Sequence, residues 1–296
     1  MFEQRALGAN FGLEILGLDV RRDCEGDAFT RLPELLYAHR VLLIRGQSLA
    51  KAEFAAFGRR WGAPIRFYLA SSLDPDQPEL IRVDNRPDMP EARREAAAHW
   101  HTDSSYEPQP ACVTMLYGVE APDSGGETLF ADMAAAYDAL PAAMRERIDG
   151  LQVRHLLFGG ERMASESSRR GADLDEVRRK KLDDSPVHPL VLRHPVTGRR
   201  ALYAVAGSAV GIVGLADDDG LALLRELKLH ALQSRFVLSV KASAGDILIW
   251  DDLSTLHSAT PVPYTDEAGQ RRLLLRYSTR DMPPEFAVAS PFASPA

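Results

Sequence analysis

The chain has 296 residues, 45% hydrophobic and 26% charged, the balance of a globular protein able to bury a sizeable core and not of a disordered or fibrous one. Its 35 lysines and arginines against 42 aspartates and glutamates give a formal charge of −7, which argues against the clustered positive charge of a general nucleic-acid binder. No apolar run approaches the roughly 18 residues of a membrane span, the opening MFEQRALGANFG lacks a signal peptide's apolar stretch, and Cys24 and Cys112 are too few for a disulfide framework. The expectation is a cytoplasmic enzyme with no nucleic-acid or membrane partner, folded as a single domain over residues 1–296.

In chain order, residues 11–18 (FGLEILGL) alternate as a strand does, and residues 28–39 (AFTRLPELLYAH) place apolar side chains at helical spacing. VLLI at 41–44 reads as a buried strand, and KAEFAAFGRRW at 51–61 as a second helix stopped by Gly62 and Pro64. Residues 84–98 form a polar, proline-containing loop. Beyond it, strands are expected at 111–120, 127–130, 151–158, 190–194, 201–205, 236–240, 246–250 and 272–278, with a helix at 217–232. Many short strands with peripheral helices indicate a mainly β barrel or sandwich, not a parallel doubly wound sheet. Residues 159–185 are charged and rich in Arg and Lys, the profile of a lid or of a solvated insertion with a short helix at 174–182. The chain has no GxGxxG after a strand, no P-loop, no HExxH and no GxSxG, so nucleotide, zinc-protease and hydrolase chemistry lose their usual signatures.

The strongest local signal is Trp100-His101-Thr102-Asp103. On a strand, side chains two apart share a face, so His101 and Asp103 would converge on one ion. An imidazole and a carboxylate suit a first-row divalent metal, and a second histidine would complete the facial arrangement of non-haem Fe(II) oxygenases. His-x-Asp alone is also a common chance pattern. Of the remaining histidines, His39 and His230 end helical patterns, where a cation complements the helix C-terminus. His188 and His194 sit beside prolines as strand-edge residues, and His155 reads as a polar strand member. His99 is in phase with His101 and Asp103, which leaves it open as a ligand. His257 lies just past ILIWDD and ahead of a strand carrying Arg272 and Arg276. Those arginines, four apart, share a face. Burying them is costly unless anions meet them, and a guanidinium binds carboxylates in a directional fork. An ion pair with Asp or Glu is the structural alternative.

Together WHTDSSY at 100–106, GGET at 125–128, Asp132 with AAAYDALP, HPLVLRHPVTG at 188–198 and IWDD…LH…QRRLLLRY resemble the taurine dioxygenase family of Fe(II)- and 2-oxoglutarate-dependent dioxygenases, in the branch that includes the 2,4-dichlorophenoxyacetate dioxygenases. The resemblance runs from FGLEILGLDVRR to Arg280. It implies a double-stranded β-helix (jelly-roll, cupin-like) core with helices outside. It also implies that His101, Asp103 and His257 are the iron ligands and catalytic centre, and that Thr128 and Arg272 hold the distal carboxylate of 2-oxoglutarate. Arg276 matches an arginine that faces the anionic group of the prime substrate. Tyr68, Tyr106 and Phe158 are candidate aromatic wall residues, with core or rim packing as the structural alternative for each. His99 matches no ligand and becomes a neighbour of the site. The implied reaction consumes O2 and 2-oxoglutarate, releases succinate and CO2, and hydroxylates a small anionic substrate, with bond cleavage where the hydroxyl lands beside a heteroatom. A homo-oligomer, dimer or tetramer, is common among proteins it resembles.

The chain departs from the pattern in places. Trp250-Asp251-Asp252 stands where the family often has Trp-Asp-Asn, and residues 258–270 form a longer connection. The asparagine that helps hold taurine's sulfonate is replaced near Ala97, and residues 67–73 contain no histidine, so taurine itself is disfavoured. Asp103 occupies the position where related halogenases have a small residue, which disfavours halogenation. Two other readings compete: a non-catalytic jelly-roll sensor of a small acid, and a metal-dependent hydrolase with the same His/Asp/His site.

Overall fold

The computed structural model describes residues 2–22, 27–67, 70–88, 98–157, 185–286 and 291–292. Tyr68, Phe158, Ala97, residues 89–97 of the expected loop and residues 159–184 of the expected lid, with its short helix, lie outside them.

A seven-stranded sheet forms the largest layer, in the order β1 (Glu3–Ala6), β2 (Leu13–Leu16), β3 (Val41–Ile44), β13 (Ile247–Asp251), β5 (Val113–Glu120), β15 (Leu273–Thr279) and β4 (Ile81–Asp84). A three-stranded sheet has β6 (Thr128–Asp132) between β12 (Val237–Val240) and β14 (Thr255–Ala259). Of the pairings in these two sheets, only β2 with β3 is parallel. Alternation along the strands sorts the core into layers. Leu42, Ile44, Ile247, Ile249, Met115 and Tyr277 face outward, against α1 (Asp27–His39) and α2 (Lys51–Arg59). Val41, Leu43, Leu248, Trp250, Leu116 and Leu274 face inward and join Phe130 of β6 and Leu238 and Val240 of β12 in one cluster. Ala131 and Leu256, on the far side of the smaller sheet, pack with α3 (Met133–Asp138), α4 (Ala142–Ile148) and α5 (Asp217–Ala231). Two further small sheets, β9 (Val191–Arg193) with β10 (Arg200–Leu202) and β7 (Gln152–His155) between β8 (Val187–Pro189) and β11 (Ala209–Ile212), belong to that side.

Local chemistry sets the joints. Asp132 ends β6 and caps α3, accepting from the Ala134 and Ala135 amides at 3.1 and 2.9 Å, so strand gives way to helix without a loop. Its other carboxylate oxygen pairs at 2.8 Å with Arg40, the left-handed residue (φ 67°) that closes α1. Gly58 lets α2 lie on the sheet: a Cβ there would stand 2.6 Å from the Tyr277 ring.

The expected mainly β architecture with helices outside is what the chain forms. Among the described residues the expected strands and helices recur with ends shifted by a few residues, while β1, β4, β8, β11, β14, α3 and α4 were not anticipated. Two local expectations are corrected. His101 to Asp103 is not a strand: His101 makes one isolated bridge, to His257, and the chain then turns. His257 is not merely past a strand but sits on β14, opposite Phe130 of β6.

Candidate metal centre

His257 points inward from β14, with its ring 4.8 Å from that of Trp250 and 6.3 Å from that of Phe130. Its amide donates to the carbonyl of His101 and its carbonyl accepts from the His101 amide, both at 2.9 Å, which brings the two rings to 4.2 Å. The turn that follows is held by the Asp103 amide donating to Asp252 Oδ1 at 3.3 Å, and it passes through Ser104 in the left-handed region (φ 53°). A tight turn therefore achieves the convergence expected of a strand. Asp103 Oδ1 lies 3.8 Å from His101 Nε2, Asp103 Oδ2 lies 3.7 Å from His257 Nε2, and one ligand atom from each residue falls within 4.8 Å of the others.

The electrostatics suit a cation. His101 Nδ1 contacts the His99 carbonyl at 2.6 Å; a carbonyl only accepts, so Nδ1 carries the proton and Nε2 offers a lone pair. Thus His99 contributes its backbone and not its ring. Burial lowers both imidazoles, His257 to about 3, so both are neutral near pH 7. Burial would raise Asp103, but Arg276 and the two histidines outweigh it and hold the carboxyl at about 2. Its Oδ2, 3.7 Å from His257 Nε2, is buried without a hydrogen-bond partner, an orphaned anionic oxygen among the three donors. That donor set fits a divalent first-row metal. Asp252 behaves oppositely: burial first, then Asp103, pushes its carboxyl well above the usual range. A protonated Asp252, accepting from Trp250 Nε1 at 3.1 Å, is uncharged, as the family's asparagine would be.

Arg276 lies on the inward face of β15, and Arg272, the residue just before that strand, lines a cavity on the same side with Leu116, Leu248 and Leu274. Arg276 donates from Nη1 to Asp103 Oδ1 at 3.0 Å, and its guanidinium carbon lies 5.5 Å from the centre of the Phe67 ring. One of its donors is thus already engaged by a metal-site carboxylate. Its Nε is buried and unpartnered. Arg272 is buried with no carboxylate partner among the described residues, and it lines a small cavity with Thr128, Gly126, Leu116 and Leu248. Asn85 fixes its backbone, accepting from the Arg272 amide at 2.8 Å and donating to the carbonyls of Pro263 and Gln270, each at 2.8 Å. Tyr106 is half-buried in the turn after Asp103.

Residues near the site that the sequence did not single out are Phe67, Asn85 and a set of buried side chains behind the turn. Asn85 had a faint signal, a buried amide directly after the strand IRVD. For Phe67 there was none, because its partner is more than 200 residues away.

Comparison with known proteins matches residues 3–278 to the family described as taurine catabolism dioxygenase TauD, TfdA family. The chain belongs to that family. This dioxygenase is 36% identical over 262 residues to pentalenolactone F synthase of Streptomyces arenae, covering 85% of this chain and 87% of that protein. It is 30% identical over 287 residues to the alpha-ketoglutarate-dependent 2,4-dichlorophenoxyacetate dioxygenase of Cupriavidus pinatubonensis, covering 92% and 95%. Among solved structures it resembles AAD-2 in complex with Mn(II) and N-oxalylglycine (TM-score 0.80, 26% identity, all of both chains) and a taurine dioxygenase from Burkholderia xenovorans (TM-score 0.74, 28% identity, 94% and 89% covered). It is accordingly a non-haem Fe(II) enzyme that uses 2-oxoglutarate and O2, which displaces the sensor and hydrolase readings. Among the described residues no helix is long and apolar enough to cross a membrane.

Proposed function

We propose that this dioxygenase hydroxylates a small organic anion, and that its two inward-facing sheets form a jelly-roll core around the site. His101, Asp103 and His257 hold Fe(II). Thr128 and Arg272 hold the distal carboxylate of 2-oxoglutarate, and Arg276 orients the anionic group of the prime substrate. The observation that carries this reading is the pairing of the three converging donors with Arg272, a buried cation lacking a carboxylate partner.

Bound Fe(II) and 2-oxoglutarate supply the oxidising chemistry, which consumes O2, releases succinate and CO2, and delivers one oxygen atom to the substrate. The protein's own contribution is placement and charge. The neutral imidazoles and the ionised Asp103 are in the protonation states that metal binding requires. Arg272 provides a fixed counter-charge inside an apolar cavity, where a charge-assisted hydrogen bond is strong and directional. Arg276 retains donors beyond the one given to Asp103, so a substrate anion meets it beside the metal site. The relatives' names include phenoxy-acid and sulfonate dioxygenases, and that range supports the anionic substrate class.

The test is anaerobic addition of Fe(II), then 2-oxoglutarate, to the apo-protein. A visible charge-transfer band is expected in the wild type and is lost or weakened in His257→Ala and Arg272→Ala. Absence of the band in folded, iron-loaded wild type overturns the assignment; succinate release in a panel of carboxylates and sulfonates then identifies the substrate class.

A further inference from the structure

Behind the metal-binding turn runs a buried polar chain that the function above does not use. Ser105 donates from Oγ to the carbonyl of Thr102 at 3.2 Å. The same oxygen lies 2.6 Å from Ser208 Oγ, which lies 3.0 Å from His155 Nδ1. His155 is fully buried, and burial, helped by neighbouring His188, lowers its imidazole well below the ordinary value, so the ring is neutral. The direction of the chain follows from its end. A carbonyl only accepts, so Ser105 spends its proton on Thr102; it then accepts from Ser208, whose hydroxyl in turn accepts from His155 Nδ1–H. Three donors thus point one way, toward the peptide that joins Thr102 to Asp103.

Packing reinforces this chain. Gly207, with φ 72°, lies so close behind the site that a Cβ there would stand 2.7 Å from His101 Cβ. His188, paired with Val153 across β8 and β7, contacts the carbonyl of Glu107 through Nε2 at 3.1 Å, at the far end of the turn. The pull on Asp103 from the other side is Arg276, at 3.0 Å.

We infer that His155, acting through Ser208 and Ser105, is a positioning residue for Asp103. It fixes the Thr102–Asp103 peptide so that the carboxylate stays directed at His101 and His257 and does not settle onto Arg276 alone. The inference rests on the proposed metal role of Asp103. Partners that orient metal ligands in this way are typically worth about 10–100-fold in metal affinity.

The test is titration of the apo-protein with Mn(II), free metal being read by electron paramagnetic resonance, alongside thermal unfolding. His155→Leu and Ser208→Ala are expected to weaken Mn(II) binding by about 10-fold or more, whereas His155→Asn, which keeps a donor near the Nδ1 position, restores part of it. Ser208→Ala removes a single oxygen, so it remains informative where His155→Leu folds poorly. Wild-type affinity in folded Ser208→Ala, with or without a lowered melting temperature, overturns the inference and leaves the metal assignment standing. Failure of the wild type to bind Mn(II) overturns the metal assignment, and the inference with it.

Discussion

The two faces of the seven-stranded sheet are built from the same strands and do different work. On the outer face, Leu42, Ile44, Ile247, Ile249, Met115 and Tyr277 are apolar throughout and are covered by α1 and α2. On the inner face, Val41, Leu43, Leu248 and Trp250 continue that pattern, but Arg276 of β15 and Arg272 just before it interrupt it. Alternation therefore separates stability from chemistry within single strands: Leu275 and Tyr277 anchor helices while Arg276 between them serves the site. The sharpest way to break this comparison is a pair of variants. His257→Ala is expected to abolish succinate formation while the fold is retained. Trp61→Ala, which empties the space against Phe29 at 5.6 Å, is expected to cost about 3–5 kcal/mol of stability with unchanged metal affinity in the folded fraction. Chemical denaturation and Mn(II) titration of both variants check this; a large loss of metal affinity in folded Trp61→Ala would end the separation.

Arg272 offers a second test, in which activity and stability move in opposite directions. It is a buried cation without a carboxylate partner among the described residues, and burial lowers its pKa, so the apo-fold is strained by it. Arg272→Met is expected to raise the apparent KM for 2-oxoglutarate by roughly 10–100-fold, the equivalent of about 1.5–3 kcal/mol for a charge-assisted hydrogen bond, and to leave the apo-protein's melting temperature equal or higher. Steady-state kinetics and calorimetry decide it. A melting temperature that falls with unchanged KM would make Arg272 structural.

The pH dependence of the apo-protein sharpens the same division. Burial, first among the causes, lowers His257 to about 3 and also lowers His101 and His155. As pH falls below about 6.5, the unfolded chain takes up protons that these three folded imidazoles refuse; this outweighs the opposite effect of the single carboxyl of Asp252, protonated in the fold and ionised in the unfolded chain, so stability declines from there. Asp103, held at about 2, adds a further loss only below its ordinary value of 3.8. Denaturation midpoints at pH 7, 6 and 5 are expected to fall in order. The decline should be shallower in His257→Ala and of wild-type slope, from a lower ceiling, in Trp61→Ala. A flat wild-type profile would contradict the buried neutral imidazoles.

What the sequence made legible follows the range of the forces involved. Alternation and helical spacing are local, so β3 was read to the residue and α1, α2, β5 and β13 to within a few residues at their ends. β1 is exposed along all four residues and β8 reads VHP, so neither shows the apolar pattern that marked the equally short β3, and α3 was hidden because Asp132 ends a strand and caps a helix at once. At the site, the residue types and order of WHTD, GGET and RRLLLR singled out the side chains the fold brings together. How they meet was not legible. The convergence of His101 and Asp103 depends on a turn held by Asp252, nearly 150 residues on, and that of Arg272 with Thr128 on registers between strands. His155 read as an ordinary strand polar because its role depends on hydroxyls contributed by two distant loops.

The smallest expected effect separates the two arginines of the inner face from each other. Phe67 lies 5.5 Å from the guanidinium carbon of Arg276, on a segment that resemblance alone marked only by the histidine it lacks. An aromatic face against a partly desolvated guanidinium is worth about 0.5–1 kcal/mol, so Phe67→Leu, which keeps an apolar wall but removes the π face, should raise the KM of the prime substrate roughly 2–5-fold. Arg272 lines a small cavity with Thr128 whose lining includes neither Arg276 nor Phe67, so the KM for 2-oxoglutarate should not move. Phe67→His adds a polar ring at the same place and is expected to shift preference from substrates with an apolar body toward smaller, more polar anions. Succinate release measured across a matched series of carboxylates and sulfonates reads both effects. Equal changes in the two KM values would mean that Phe67 shapes the whole site and that Arg272 and Arg276 do not act independently.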